Sequence, residues 1–435
     1  MRYLTPEINR FLAEEAKMAF VAGPRQVGKT TLAKHLLSLV GSDAFYFNWD
    51  IQSHRKAIIR NPEDFWRVSE KLAFNGKQRI GLDEIHKYPR WKRFLKGLYD
   101  ARGKDLEVIV TGSGRLDIYQ RGGDSLIGRY HLYRLHPFTL GEYTRESRQT
   151  VCSAGDFWRE VTEGKTPAGA KEALEDLEAL TGFPEPLFSG SEARLRRWRR
   201  SHQTLVVRED LRDLTRIREI GLVETLVALL PERIGSPLSV NSLKEDLGIN
   251  FMTAQGWLEA LERLYYLFKI RPYAGRLSRT LRREEKVYLF DFSVIENQGS
   301  RFENLLALHL HKLCDAWTDW GYGDFALHYV RDREKREVDF LITKNRKPYT
   351  LVEAKLTEDG IDPNLNISTT GSSPHIPCRW CERPGKIKSS SFRAAYFPSQ
   401  PCISCPLFRV YLFFDLSIGI LRGRSRLFGR DSFRW

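Results

Sequence analysis

The spacing of apolar positions changes along this chain, and each change predicts a different element. The run MAFVA, 18–22, is short and unbroken, the pattern of a strand buried on both faces. After a polar, glycine-containing interval, Leu32, Leu36, Leu37 and Val40 recur at helical spacing. Apolar runs in RIGLD, 79–83, and VIV, 108–110, predict further buried strands. From Pro231 two helical patterns follow, joined by GIN. Leu243 and Leu247 mark the first, and Trp257, Leu258, Leu261 and Leu264 the second. Ser239 or Asn241 is the expected cap of the first helix and Gly248 its end. Two strands, LFKIRPY and KVYLFDF, then flank the basic stretch AGRLSRTLRREE, and the whole predicts a winged-helix-like module. Beyond it, RFENLLALHLHKL reads as an amphipathic helix and residues 326–356 as three strands with polar turns.

The polar interval after the first strand carries the clearest chemistry. Gly23 to Thr30, GPRQVGKT, matches G-x-x-x-x-G-K-[ST] between a strand and a helix. Gly23 and Gly28 let backbone N–H groups curl around phosphate oxygens, and the helix start adds its positive dipole end. Lys29 is expected to reach the terminal phosphates, Thr30 to ligate Mg²⁺, and Thr31 to complete the loop. A phosphate loop calls for acids on a second strand. Asp83 is expected to hold Mg²⁺ through water, and Glu84 to orient or deprotonate the attacking water. Thr111 and Ser113 end the next strand, where a polar side chain would sit beside the γ-phosphate. Arg129 is a candidate for neutralising transition-state charge, in cis or from a neighbouring subunit.

The ordered set GPRQVGKTT, LDEIHKYPRW, VTGSGR and GRYHLYRLHPFTLGEY resembles prokaryotic AAA-type ATPases that carry a C-terminal domain of unknown function similar to PD-(D/E)XK nucleases. GFPEP at 182–186 and VREDLRDL at 207–214 are similar to that family's lid region. The resemblance runs from residue 1 to about 365. It implies an ATP-hydrolysing enzyme with ATP and Mg²⁺ as cofactors.

Strand alternation gives the C-terminal part a second candidate site. In EVDFLI, Val338, Phe340 and Ile342 face one way and Asp339 the other. In LVEAKL, Glu353 and Lys355 share a face. Pairing these strands brings Asp339, Glu353 and Lys355 together, two oxygen ligands for Mg²⁺ and a cation to position or activate a water. Glu303, near the start of the preceding helix, is a candidate further ligand. This is the D…E-x-K arrangement of metal-dependent nucleases, and nucleic acid is therefore a candidate partner. The winged-helix-like module is a poorer reader of DNA, because Glu259 and Glu262 lie among the polar positions of its second helix. A protein partner is the alternative, with the nuclease fold idle and the ATPase acting as a switch or scaffold.

Charge sets the last seventy residues apart. The net charge is +14, yet Ile367–Trp435 alone carries 11 Lys/Arg against 3 Asp/Glu, so most of the excess lies there. Four of the six cysteines also lie there, as Cys378, Cys381, Cys402 and Cys405. Their C-x-x-C…C-x-x-C spacing falls within the zinc-ribbon range. No hairpin pattern surrounds them, and we read the segment as frameshifted. An allowed codon choice for Asn366–Trp380, read two bases on, encodes YFNDRLKSPHSVQV, a plausible helix and strand. The fold class expected is α/β: a P-loop ATPase core over 1–150, a helical lid over 151–230, the winged-helix-like module over 231–292, a truncated restriction-nuclease-like α/β domain over 293–365, and a disordered tail over 366–435. No apolar stretch predicts a signal peptide or membrane span, so a cytoplasmic protein is expected, with oligomers open.

Overall fold

The computed structural model describes residues 2–67, 77–112, 126–144, 153–162, 169–214, 219–273, 284–331, 337–354, 391–396 and 408–413. Ser113, Lys355, the four tail cysteines and the basic stretch 274–283 lie outside the described residues.

The N-terminal half is built on a parallel sheet of five strands in the order β2-β3-β4-β1-β5. These are β1 (Met18–Ala22), β2 (Tyr46–Asn48), β3 (Gln78–Asp83), β4 (Leu106–Thr111) and β5 (Tyr130–Arg134). Every residue of β1 is buried, as its unbroken apolar run requires. Helices α1 (Leu4–Glu14), α2 (Lys29–Ser38), α3 (Gln52–Arg60) and α4 (Trp91–Arg102) accompany the sheet. Gly81 interrupts the apolar run of β3 for a packing reason. A Cβ there would stand 3.1 Å from Leu37 Cδ1, so glycine lets α2 lie close on the sheet.

In the region expected to be a lid lie the helices Pro184–Ser189 and Glu192–Thr204, continued by a π-helical stretch, Leu205–Asp210. The two helices of the predicted helix-turn-helix are Val240–Leu247 and Phe251–Arg263. Of the two candidate caps, Ser239 is the one used: its side chain accepts from Ser242 N. Gly248 ends that helix at φ +64, the left-handed turn that glycine favours.

The hairpin that follows, β6 (Leu267–Pro272) with β7 (Lys286–Leu289), does not stand alone as a wing. A second sheet runs β12-β11-β10-β9-β8-β6-β7, in which β6 pairs in parallel with β8 (Phe325–Arg331). Next come β9 (Glu337–Lys344) and β10 (Lys347–Glu353), all antiparallel. The boundary expected at 292/293 therefore falls within one continuous sheet. In the tail, where the composition predicts no order, β11 (Ser391–Tyr396) and β12 (Phe408–Phe413) extend that sheet. Each carries aromatic and aliphatic residues beside one arginine, a composition able to take strand conformation.

The long helix Gln298–Asp319 joins the halves. It packs on β5 with one face and on β7 and β8 with another. The contact is charged as well as apolar. Arg134 donates to Asp315 and to Asp319 (2.6 Å), and His136 Nε2 lies 2.8 Å from Asp315 Oδ2. Lys312 Nζ donates to Glu142 Oε2 at 2.6 Å and to Thr139 Oγ1 at 2.6 Å. Glu142 also accepts from Arg2 Nε at 3.0 Å, and Arg2 donates onward to the carbonyl of Val27 at 2.9 Å. A buried chain of charges thus runs from the C-terminal helix to the phosphate loop.

Candidate nucleotide site and C-terminal carboxylate cluster

The loop between β1 and α2 has the backbone that its glycines predict. Gly28 sits at φ +100, immediately before the first residue of α2. Gly23 has φ +153, and a Cβ there would lie 2.2 Å from the carbonyl oxygen of Leu135, so only glycine fits where β1 leaves the sheet. Lys29 is buried at the loop's base, its ammonium donating to the carbonyls of Gly23 (2.9 Å) and Pro24 (2.6 Å). Burial lowers its pKa to about 8, against the opposing pull of Glu84 and Asp83.

Asp83 is the hub of the site. Its Oδ2 accepts from Thr30 Oγ1 at 2.7 Å and from Tyr46 OH at 2.5 Å, and its Oδ1 accepts from Thr111 Oγ1 at 2.6 Å. The parallel order β2-β3-β4 brings Asp83 and Thr111, at the C-terminal ends of β3 and β4, beside Tyr46 at the start of β2. Thr111 was expected to face the γ-phosphate, but its hydroxyl is engaged with Asp83. Tyr46 is a site residue that the sequence reading missed. The only signal was the short YFN run that became β2.

Glu84 adopts φ +56, a left-handed turn uncommon for glutamate, which swings it out of the strand line. It faces the same cleft as Lys29, and burial raises its pKa, opposed by Lys87 and Lys29. The cleft holds about 660 Å³ and is lined by Lys29, Thr30, Thr31 and Glu84 together with Phe188 and Arg194 from the helices Pro184–Ser189 and Glu192–Thr204. Contacts tie the loop to the segment 192–210: Arg25 with Asp210 at 2.7 Å and with Glu209 at 3.4 Å, and Gln26 with His202 at 3.0 Å. The VREDLRDL motif therefore meets the phosphate loop directly through Asp210.

Arg129 requires a correction. Its carbonyl accepts from Met18 N, so it sits at the N-terminal edge of the sheet, where it pairs with Asp100 at 2.8 Å. The phosphate loop is at the other edge, roughly 16 Å away at 3.3 Å per strand residue. It cannot serve its own chain's nucleotide. Arg129→Ala is expected to leave ATP turnover at low protein concentration within about twofold; a loss of a hundredfold would contradict this placement.

Residues 15–144 match the family model described as an AAA domain, and residues 171–301 match a domain of unknown function (DUF8612). Residues 15–144 are thus similar to an AAA domain. Uncharacterized proteins of Mycobacterium bovis and Mycobacterium tuberculosis are each 24% identical over 344 residues, covering 77% of this chain and 69% of the relative. An uncharacterized protein of Methanocaldococcus jannaschii is 22% identical over 346 residues, covering 72% and 71%. Among solved structures, the Aeropyrum pernix ORC1 protein in complex with DNA aligns at 17% identity, covering 71% of this chain and 94% of that one, with a TM-score of 0.30. AMPPCP-bound DnaA from Aquifex aeolicus aligns at 14% identity, covering 59% and 86%, with a TM-score of 0.25. TM-scores this low define no shared overall arrangement and no shared function. No helix among the described residues is long and apolar enough to cross a membrane.

Opposite the AAA domain, the C-terminal sheet gathers carboxylates. Asp339 Oδ2 accepts from Ala354 N at 2.9 Å, which sets Asp339 beside the end of β10, where Glu353 is buried. Glu303 lies on the long helix, and its Oε1 accepts from Tyr288 OH at 2.6 Å and Lys286 Nζ at 3.4 Å. Lys286, Tyr288 and Glu337 were not anticipated. KVYLFDF reads as an ordinary strand entered from a basic stretch, and nothing in it marks Lys286 as buried. Yet Lys286 is 1% exposed, with its ammonium 2.6 Å from Glu337 Oε1. Burial disfavours its charge, but Glu303 and Glu337 outweigh that and raise its pKa.

Proposed function

We propose that this chain is an ATP-hydrolysing AAA-type switch whose nucleotide state is passed through the long helix to the C-terminal α/β module. The observation that carries this reading is the hydrogen-bonded set Thr30–Asp83–Thr111, with Lys29 and Glu84 facing one cleft. These residues fit a nucleotide with Mg²⁺. Gly23 to Thr31 would cradle the phosphates, Lys29 would contact the terminal ones, and Thr30 and Asp83 would hold the ion. The bound ion supplies charge neutralisation at the phosphates. Glu84, already pushed toward proton affinity by burial, orients the attacking water and takes its proton. Arg194 and Phe188 bring the lid to the same cleft, so closing the lid excludes water.

Titration with labelled ATP and Mg²⁺ tests the reading; saturable binding is expected, and a flat titration defeats it. The affinity should also depend on pH. Lys29 loses its proton as pH rises through about 8, so ATP should bind more weakly to the protein above pH 8 than at pH 7. Binding that is constant from pH 7 to about 9 would mean that Lys29 stays charged throughout.

A second reading, Mg²⁺-dependent cutting of nucleic acid, draws on the placement of Asp339 beside β10. Plasmid DNA incubated with the chain, ATP and Mg²⁺ separates the two: the switch leaves it intact.

A further inference from the structure

The resemblance to metal-dependent nucleases asks Glu303 and Asp339 to face one divalent cation, and the residues around Glu303 do not fit one. Lys286 enters from β7, and its ammonium contacts Glu337 at 2.6 Å and Glu303 at 3.4 Å. The ring of Tyr329 covers it with the centroid 5.5 Å away. Glu303 Oε1 already accepts two donors, from Lys286 and Tyr288. On its other side, a Cβ on Gly235 would lie 2.7 Å from Glu303 Oε2, so loop backbone closes over that oxygen. Arg331 approaches the second oxygen of Glu337 at 3.7 Å.

A cation ligated by Glu303 needs an oxygen at roughly 2.1 Å for Mg²⁺. At Oε1 it would have to displace both donors. It would then stand close to an ammonium whose side chain is 1% exposed, and like charges repel more strongly where water is scarce. Removing the ammonium from Glu303 without removing the lysine would leave a buried charge less well compensated.

We propose that Lys286 is the built-in counter-cation of this cluster, filling the place a divalent ion takes in D…E-x-K nucleases, so that Glu303 and Asp339 bind no metal. The C-terminal module is then a sheet organised around an internal ion pair, with Tyr288 and Glu337 as its remaining partners. It needs no cofactor to hold the long helix against β7. That suits an element whose task is to receive a conformational signal from the AAA domain. The inference does not depend on ATP binding, and its test uses no nucleotide.

Mn²⁺ binding to the full chain is measured by calorimetry and by electron paramagnetic resonance without nucleotide, in an Asp83→Asn background that removes the acid of the phosphate loop. With Lys286 present, no Mn²⁺ site sensitive to Asp339→Asn is expected. With Lys286→Met, one site is expected that binds Mn²⁺ at least roughly tenfold more tightly than the parent and is lost when Glu303→Gln is added. Binding to the Lys286 protein that Asp339→Asn abolishes would overturn the proposal. So would a folded Lys286→Met chain that gains no site. If Lys286→Met does not fold, the comparison of parent with Asp339→Asn still decides, because it leaves Lys286 in place.

Discussion

Replacing Lys29 with alanine is expected to abolish ATP turnover without unfolding the chain. The two halves of that statement have one cause. The ammonium is buried, and burial holds its pKa at about 8, so the folded protein gains little from keeping it charged there. Among the described residues its ammonium donates to the carbonyls of Gly23 and Pro24. Losing it should leave the melting temperature unchanged or slightly higher. Turnover should respond in the opposite way. An ammonium that meets developing phosphate charge in a site shielded from water contributes roughly a hundredfold or more to the rate. Thermal melting beside a coupled phosphate-release assay checks both parts. Unaltered hydrolysis would remove the phosphate loop from the mechanism, and a collapsed melting temperature would make Lys29 a structural residue.

Glu142→Ala should be the most damaging substitution far from the cleft. Glu142 is buried between Arg2 and Lys312, with contacts of 3.0 and 2.6 Å. Removing it strands two buried cations, a loss of about 3–5 kcal/mol. The carboxyl pKa is held down to about 2: burial pushes it up, but Arg2 and Lys312 prevail. A depressed carboxylate contributes stability that is complete above its ordinary value of 4.5 and disappears as pH falls toward 2. Its share is on the order of 3 kcal/mol. Lys312 moves the other way, lowered by burial despite Glu142, so the pair's net worth is smaller than Glu142 alone suggests. Because Arg2 also holds the carbonyl of Val27, the substitution should weaken ATP binding along with the fold. Denaturant melts at pH 7 and pH 3 give the test. A parent chain that loses no stability between them would show that Glu142 is not held as an anion.

The nucleotide site was the more legible of the two because its parts are local. Gly23, Gly28, Lys29 and Thr30 lie within eight consecutive residues, and a strand and a helix flank them with plain periodicities. Asp83 and Glu84 were recognisable from the same logic at a distance. What lay hidden was everything brought in from elsewhere. Tyr46 joins Asp83 only because β2 pairs with β3, and Arg194 lines the cleft only because the lid folds over it. Of the two roles open to Arg129, in cis or from a neighbouring subunit, the fold disfavours the first for a related reason. Sequence distance from the phosphate loop says nothing about which end of a parallel strand a residue occupies.

The C-terminal part repeats the contrast. Alternation along EVDFLI and LVEAKL suggested Asp339 near the end of β10, and its Oδ2 accepts from Ala354 N there, but Val338 packs with Leu341 and Leu351 and not with Phe340 and Ile342. It was silent about Lys286, whose strand enters this sheet through the parallel pairing of β6 with β8.

By itself, then, the order of residues determined the strand–loop–helix of the candidate phosphate site, the acidic end of β3 and the helix ends set by Ser239 and Gly248, since each depends on backbone geometry within a few residues. The tertiary structure alone decided that Arg129 faces away from the nucleotide, that one sheet spans the hairpin and the C-terminal strands, and that a lysine stands among the carboxylates. These depend on which strands pair and in which direction, and on charges meeting where water is absent. Local spacing carries no record of either.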